Sequence, residues 1–256
     1  MYDCGRILNK FCYKNAVFYY SFGDCAYISG NDTKFNYALI ESCSEDFYNA
    51  LLERGWRRFG EVFFAPFCDY CNKCISIRQL VDHFVFSKNN KRVMNKNKIL
   101  DIRIGIPTYS IEKLELYNKY HTMMNIKKGW EYNQINRDRY LHMFIDGKNS
   151  FGKEICYYLD GKIIGVAFVD ILKTTSSMSA IYFFYDHNYS YLSLGTFSIL
   201  KQLEIAKMFN LKYFYPGYWI ENHHSLGYKE RFRPFEYLVN RPNIYENPIW
   251  RLHTNE

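Results

Sequence analysis

The chain has 256 residues and carries 33 Lys and Arg against 26 Asp and Glu, a net charge of +7. That length can bury a real core in one large domain or two small ones, which excludes a disordered chain. The charge is too small for a histone-like binder but suits a protein that meets a polyanion on one face.

In chain order, residues 1–20 scatter Asp3, Arg6, Lys10 and Lys14 among aromatics, so no apolar signal segment forms. No later apolar run approaches the ~20 residues that span a bilayer. The expectation is a soluble, cytoplasmic protein with no membrane partner. Eight cysteines without a secretion signal point to free thiols or a metal site, not to a disulfide framework.

Ser44 before Glu45 and Asp46 has the form of a helix cap with acids in the first turn. Phe47, Leu51 and Leu52 then share a face and Gly55 closes the helix, predicted over 45–54. Residues 56–64 read as extended, and Pro66 opens a turn holding Cys68, Cys71 and Cys74. Up to Arg78 this is a small, turn-rich unit that a metal staple or docking onto a larger body would steady. Lys88, Lys91, Arg92, Lys96 and Lys98 follow with no acid among them, either a solvated linker or an arm that contacts phosphate. The stretch marks a seam between a cysteine-containing amino-terminal domain over 1–95 and an acyltransferase-like domain over 96–256.

Ser110 opens a helical pattern in which Leu114, Tyr117, His121 and Met124 recur at spacings of three and four until Gly129, and a weaker helix covers 139–145. Strands over 154–159 and 162–171 flank Asp160-Gly161, a tight hairpin turn. A third strand fits 180–185. A helix fits 194–209, with Phe197, Leu200, Leu203 and Ala206 on one stripe, and a strand returns over 211–215. Hairpin, third strand, helix and returning strand make an α+β mixed sheet. Its order resembles the acyltransferase fold of the GCN5-related family.

The turn 186–195 precedes a helix start, where unpaired amide protons and partial positive charge favour an anion and Gly195 removes a side chain. Acyltransferases of that fold hold the coenzyme A pyrophosphate there, commonly on Arg/Gln-x-x-Gly-x-Gly/Ala. Here Tyr191-Leu192-Ser193-Leu194-Gly195 has one glycine and no preceding cation. A donor with a single phosphate near its reactive end, as in aminoacyl-tRNA, fits better; a plain helix cap is the competing reading. Cys68, Cys71 and Cys74 could join Cys25 around zinc or an iron-sulfur cluster, with Cys43 or His83 as other fourth ligands, or remain reduced thiols. Arginines around the cysteine turn, and Tyr218 and Trp219 ahead of a basic cluster, set cations beside flat rings, which suits phosphate and stacked bases.

Together these residues resemble the arginyl-tRNA-protein transferase family, in its bacterial branch of aspartate/glutamate leucyltransferases. The amino-terminal signature reads Cys25-Ala26-Tyr27, then Gly55-Trp56-Arg57-Arg58-Phe59-Gly60, then Pro66, Cys68, Cys71, Cys74 and Arg78. The carboxyl-terminal signature reads Tyr185-Asp186, Ser193-Leu194-Gly195, Gly217-Tyr218-Trp219-Ile220, and Tyr228-Lys229 with Phe232, Pro234 and Glu236. Ile28 stands where eukaryotic members have the second cysteine of a metal-linked Cys-x-x-Cys.

The resemblance implies transfer of an amino acid, leucine in that branch, from charged tRNA to proteins that begin with Asp or Glu, marking them for degradation. It implies no required cofactor, and an arginine donor is the alternative. The acceptor α-amine has a pKa of about 7.7 to 8.0, so part of it is neutral near pH 7 and positioning matters more than a strong base. On this basis Asp186, and after it Glu236, orients the amine, while Tyr228 and Lys229 donate to the oxyanion or leaving oxygen. Arg57, Arg58 and Arg78 grip the acceptor carboxylate. Ser193, Gly195, Tyr218, Trp219, Lys91 and Arg92 hold the aminoacyl-tRNA. Two rival functions are an acetyl-coenzyme-A-dependent N-acetyltransferase, which lacks its glycine-rich loop here, and a non-catalytic RNA-binding zinc-knuckle module, which predicts RNA binding without a product.

Overall fold

The computed structural model describes residues 13–254; residues 1–12, with Cys4, Cys12 and most of the stretch inspected for a signal, lie outside the described residues. β1 (Tyr13–Asp24) and β2 (Asp32–Cys43) form a long antiparallel hairpin that sequence periodicity does not announce. α1 (Glu45–Glu53) follows, capped by Ser44 Oγ accepting from the Phe47 amide. β3 (Arg57–Phe59) and β4 (Val62–Pro66) complete a four-stranded sheet in the order β1-β2-β4-β3. Phe47, Tyr48, Leu51 and Leu52 of α1 pack on Ala38, Ile40 and Phe63 of this sheet.

β5 (Ile75–Leu80) leaves the cysteine turn and enters a second, nine-stranded sheet. The turn-rich unit expected up to Arg78 therefore gives its last strand to the larger body. α2 (Lys88–Lys96) corrects the basic stretch from linker or arm to helix: Ser87 Oγ caps it, no residue of it is buried, and Asn97 anchors its end by donating to Leu192 O. The chain continues through β6 (Asp101–Gly105), α3 (Ile111–Lys128), α4 (Arg137–Tyr140) with a π-helical turn, β7 (Gly152–Leu159), β8 (Lys162–Leu172) and β9 (Ser177–Tyr185). It ends with α5 (Leu194–Met208), β10 (Tyr213–Tyr215), β11 (Tyr218–Trp219), β12 (Phe235–Leu238) and β13 (Trp250–Leu252).

The large sheet runs β13-β12-β5-β10-β9-β8-β7-β6, with β11 also paired to β5. Among the described residues only β9 and β10, joined through α5, run parallel in this sheet, so the protein is a mixed α+β structure. β8 is buried on both faces, as its apolar run predicts. Val166 and Phe168 face Leu114, Tyr117 and Met124 of α3, while Ala167 and Val169 pack with Phe197, Leu200 and Leu203 of α5. The strands before and after the Asp160-Gly161 turn take the expected hairpin, with both turn residues at positive φ. Among the described residues no helix is long and apolar enough to cross a membrane.

Candidate active site

The two signature stretches meet on β5. Tyr218 and Trp219 of β11 pair with Ser76 and Ile75, and the Tyr218 hydroxyl donates to Gly55 O at 2.8 Å. Arg57, from β3, is buried behind this junction. Its Nη1 donates to Trp56 O at 2.6 Å and Nη2 to Ser76 Oγ, its guanidinium lies 5.4 Å from the Tyr215 and Tyr218 rings, and among the described residues its Nε has no hydrogen-bond partner.

Lys229, on a short 3-10 turn (Gly227–Arg231), points into the same place. It is 8% exposed, and its Nζ donates to Tyr218 O at 2.6 Å. Burial first, and then the Arg57 charge, push its pKa down to about 7, with Cys74 acting in the opposite sense. Burial also lowers Arg57. Among the described residues neither cation has a carboxylate at ion-pair distance. Arg57, and Lys229 in its protonated form, leave desolvation uncompensated, a state an incoming anion relieves. Gly217 fits here because its φ is +97° and a Cβ would stand 3.3 Å from Lys229 Nζ.

The other candidate cations are already taken. Arg58 forks onto Asp170, Nε to Oδ2 at 2.8 Å and Nη2 to Oδ1, both side chains being buried. Arg78 donates to Glu236 Oε2 at 2.7 Å and Tyr215 OH at 3.3 Å, and is sandwiched between Tyr213 and Trp250, 3.8 and 4.3 Å from their ring centres. Of the three arginines expected to grip a substrate carboxylate, two thus hold carboxylates of the chain itself. Glu236 is occupied by the same pairing.

Asp186 accepts from Lys119 Nζ at 2.7 Å and the Asn188 amide at 3.0 Å. Burial alone would raise its carboxyl, but Lys119, the Asn188 amide and Lys162 outweigh that and hold it below the usual value. Tyr228 is partly exposed and edge-on to Phe232, and burial of its hydroxyl, then Tyr185, pushes its pKa up to about 12. Trp219 is buried and packs edge-on against Phe235 and His253 in a small apolar cluster. Ser193 and Gly195 open α5, where a Cβ on Gly195 would meet nothing within 4 Å. α2, with Lys91 and Arg92, is tied to that start through Asn97 and Leu192, and none of these four lines the main cleft.

That cleft, about 1680 Å³, runs from the β1–β2 hairpin past Gly55, Trp56, Cys74 and Ser76 to Tyr218 and the segment 237–245. The residues that cradle Arg57 form part of its floor. Cys25, Cys68, Cys71 and Cys74 do come together with Tyr27 and Arg241 around a cavity of about 230 Å³. Among the described residues, however, no three His, Cys, Asp or Glu side chains are grouped to hold one metal ion. Burial first, then Cys25, pushes the Cys74 thiol up to about 12, so it is protonated at neutral pH.

Sequence reasoning missed Asp170 and Lys119, the partners that occupy Arg58 and Asp186. Asp170 had a signal, a lone carboxylate inside an apolar strand, which demands a cation. His121, on the helical stripe read from the sequence, is buried there with Nε2 2.8 Å from the Tyr182 hydroxyl, and burial lowers its pKa to about 4, leaving a neutral ring.

Known proteins match this layout along most of the chain. The sequence model described as Arginine-tRNA-protein transferase, N terminus, matches residues 23–92, and its C-terminus counterpart matches 112–239. The aspartate/glutamate leucyltransferase of Helicobacter hepaticus is 49% identical over 229 residues, 90% of this chain and 94% of that protein. The one from Campylobacter jejuni serotype O:23/36 is 40% identical over 225 residues, 88% and 93% of the two chains. Among solved structures, FemX aligns over 84% of each chain at 9% identity with a TM-score of 0.48, too slight a likeness to carry an inference.

Proposed function

The chain belongs to the arginine-tRNA-protein transferase family, and from that premise we propose that it moves leucine from charged tRNA to the free amino terminus of proteins that begin with Asp or Glu. It is an aminoacyltransferase. The acceptor's α-amine attacks the ester carbonyl, an amide bond forms, and the terminal ribose hydroxyl leaves with the proton. A leucine in place of an acidic first residue then marks the product for degradation in the cytoplasm.

One observation carries the acidic acceptor: the Arg57 and Lys229 pair, buried beside the main cleft without a counterion. A side-chain carboxylate placed there gains two charge-assisted partners and relieves the mutual repulsion of two cations. A neutral first residue gains neither. Asp186 and Glu236, each engaged with a cation of the chain, serve to position their surroundings, and the partly neutral α-amine needs little further base. The antiparallel β7-β8-β9 followed by α5 and parallel β10 supports the finer reading of a GCN5-related acyltransferase-like sheet.

The test is incubation with Leu-tRNA or Arg-tRNA and peptides that begin with Asp, Glu, Asn or Gln, read by mass. A leucine mass added to the Asp and Glu peptides alone is expected. An arginine mass, or equal labelling of the Asn and Gln peptides, refutes the proposal.

A further inference from the structure

The main cleft has a second wall that the acceptor does not need. Along one face of β1, Phe18, Tyr20 and Phe22 recur at alternate positions, about 6.8 Å apart. Phe18 packs edge-on against Trp56, the neighbour of Arg57, so this row of rings starts at the cleft floor. Tyr20 and Phe22 continue it outward at 65% and 67% exposure, their rings edge-on to one another with centres 5.6 Å apart. Lys34 of β2 stands with Nζ 6.0 Å from the Tyr20 ring centre and 5.4 Å from those of Phe22 and Phe67, and donates to Asp69 Oδ1 at 3.1 Å in a surface ion pair that a phosphate can exchange with. Lys73, Arg54 and Arg241 line the same cleft.

At about 1680 Å³ the cleft exceeds the ~300–1,000 Å³ usual for a small-molecule site. It has more room than a leucyl group and one acidic residue fill. Flat rings alternating with cations are the means by which proteins hold single-stranded nucleic acid without reading its sequence, since every base has a face to stack. A protein partner would better match an apolar patch without interleaved cations.

We propose that the hairpin face bearing Tyr20, Phe22 and Lys34 is a stacking platform for the unpaired bases next to the charged end of the donor tRNA. The row of rings then leads the terminal ribose down to the floor beside Arg57. This rests on charged tRNA being the donor, but binding can be measured without transfer, so the two ideas fail separately.

The experiment uses the full chain, a fluorescent uncharged tRNA and the matching single-stranded 3′ tetranucleotide, with transfer from leucyl-tRNA and from 3′-O-leucyl-adenosine measured alongside. Joint Tyr20→Ala and Phe22→Ala substitution should weaken tetranucleotide binding about tenfold or more and raise the ratio of KM for leucyl-tRNA to KM for leucyl-adenosine by a similar factor. Trp at both positions should restore both. Lys34→Gln, which leaves the rings in place, should reduce the salt dependence of tRNA binding by about one charge, a readout that survives if the alanine pair fails to fold. An unaltered tetranucleotide affinity, or a defect confined to the KM of the acceptor protein, would overturn the platform and make the face a protein-docking surface.

Discussion

Lys229 and Arg57 reach one buried spot from opposite signature stretches, and Tyr218, whose carbonyl takes the ammonium and whose ring flanks the guanidinium, separates them. Lys229→Met removes an uncompensated buried charge while keeping the stem, so thermal stability should rise as activity falls. Loss of a charged hydrogen-bond donor is worth about 1.5–3 kcal/mol, roughly ten- to hundredfold in kcat/KM for an Asp peptide. The ratio of Asp- to Asn-peptide kcat/KM should shrink by that factor. A ratio that does not move would place the acceptor carboxylate elsewhere.

The same lysine sets a pH dependence. Its folded pKa of about 7 lies below the unfolded value of about 10.4, so between those values the unfolded chain binds more protons. The lysine's contribution to stability therefore grows as pH rises through that window and is lost as pH falls through 7. The melting-temperature gain from Lys229→Met should be largest at pH 6 and shrink by pH 9. Binding of a malyl peptide, in which a hydroxyl replaces the acceptor amine, should weaken above pH 7 in the wild type and stay flat in Lys229→Arg.

Arg58 and Asp170 join the small sheet to the large one through a buried fork. Asp170→Asn leaves the guanidinium buried without its carboxylate and should cost about 3–5 kcal/mol of unfolding free energy. Replacing both with Met and Leu should recover much of that. Urea titration of the single and double variants measures it; equal losses would show that the pair does not act as a unit.

Glu236 holds Arg78 between two rings, and Tyr215, which accepts from Arg78, separates that pair from Arg57. Glu236→Gln should lower unfolding free energy by about 1–2 kcal/mol and leave kcat within a few-fold. Removing a general base would instead cost about 10²- to 10⁴-fold in kcat. Single-turnover transfer at saturating peptide distinguishes the two.

Elements with local signals could be read directly: the Ser44 and Ser110 caps, the Gly129 stop in left-handed conformation and the Asp160-Gly161 turn all lie where short-range chemistry puts them. β5 could not, because its six residues are defined by strands far away in sequence. α2 escaped because Val93 and Met94, partly buried against the core, are too few to show an apolar stripe among its cations and amides. In the site, residue type identified the charged groups, and the family signature brought the right stretches together. Which of those charges were already neutralised depended on side chains from β8, α3 and β12, a matter of tertiary pairing that spacing cannot encode.

β5 is hydrogen-bonded on one side to β12 and on the other to β10, and it also pairs with β11. A carboxyl-terminal fragment made alone would keep those neighbours but lack the strand that zips them together, exposing two raw backbone edges. Chimaeras exchanging front and back portions between homologous enzymes would therefore have to transplant this one strand together with its flanks, because it is the keystone that sets the spacing of the two signature stretches.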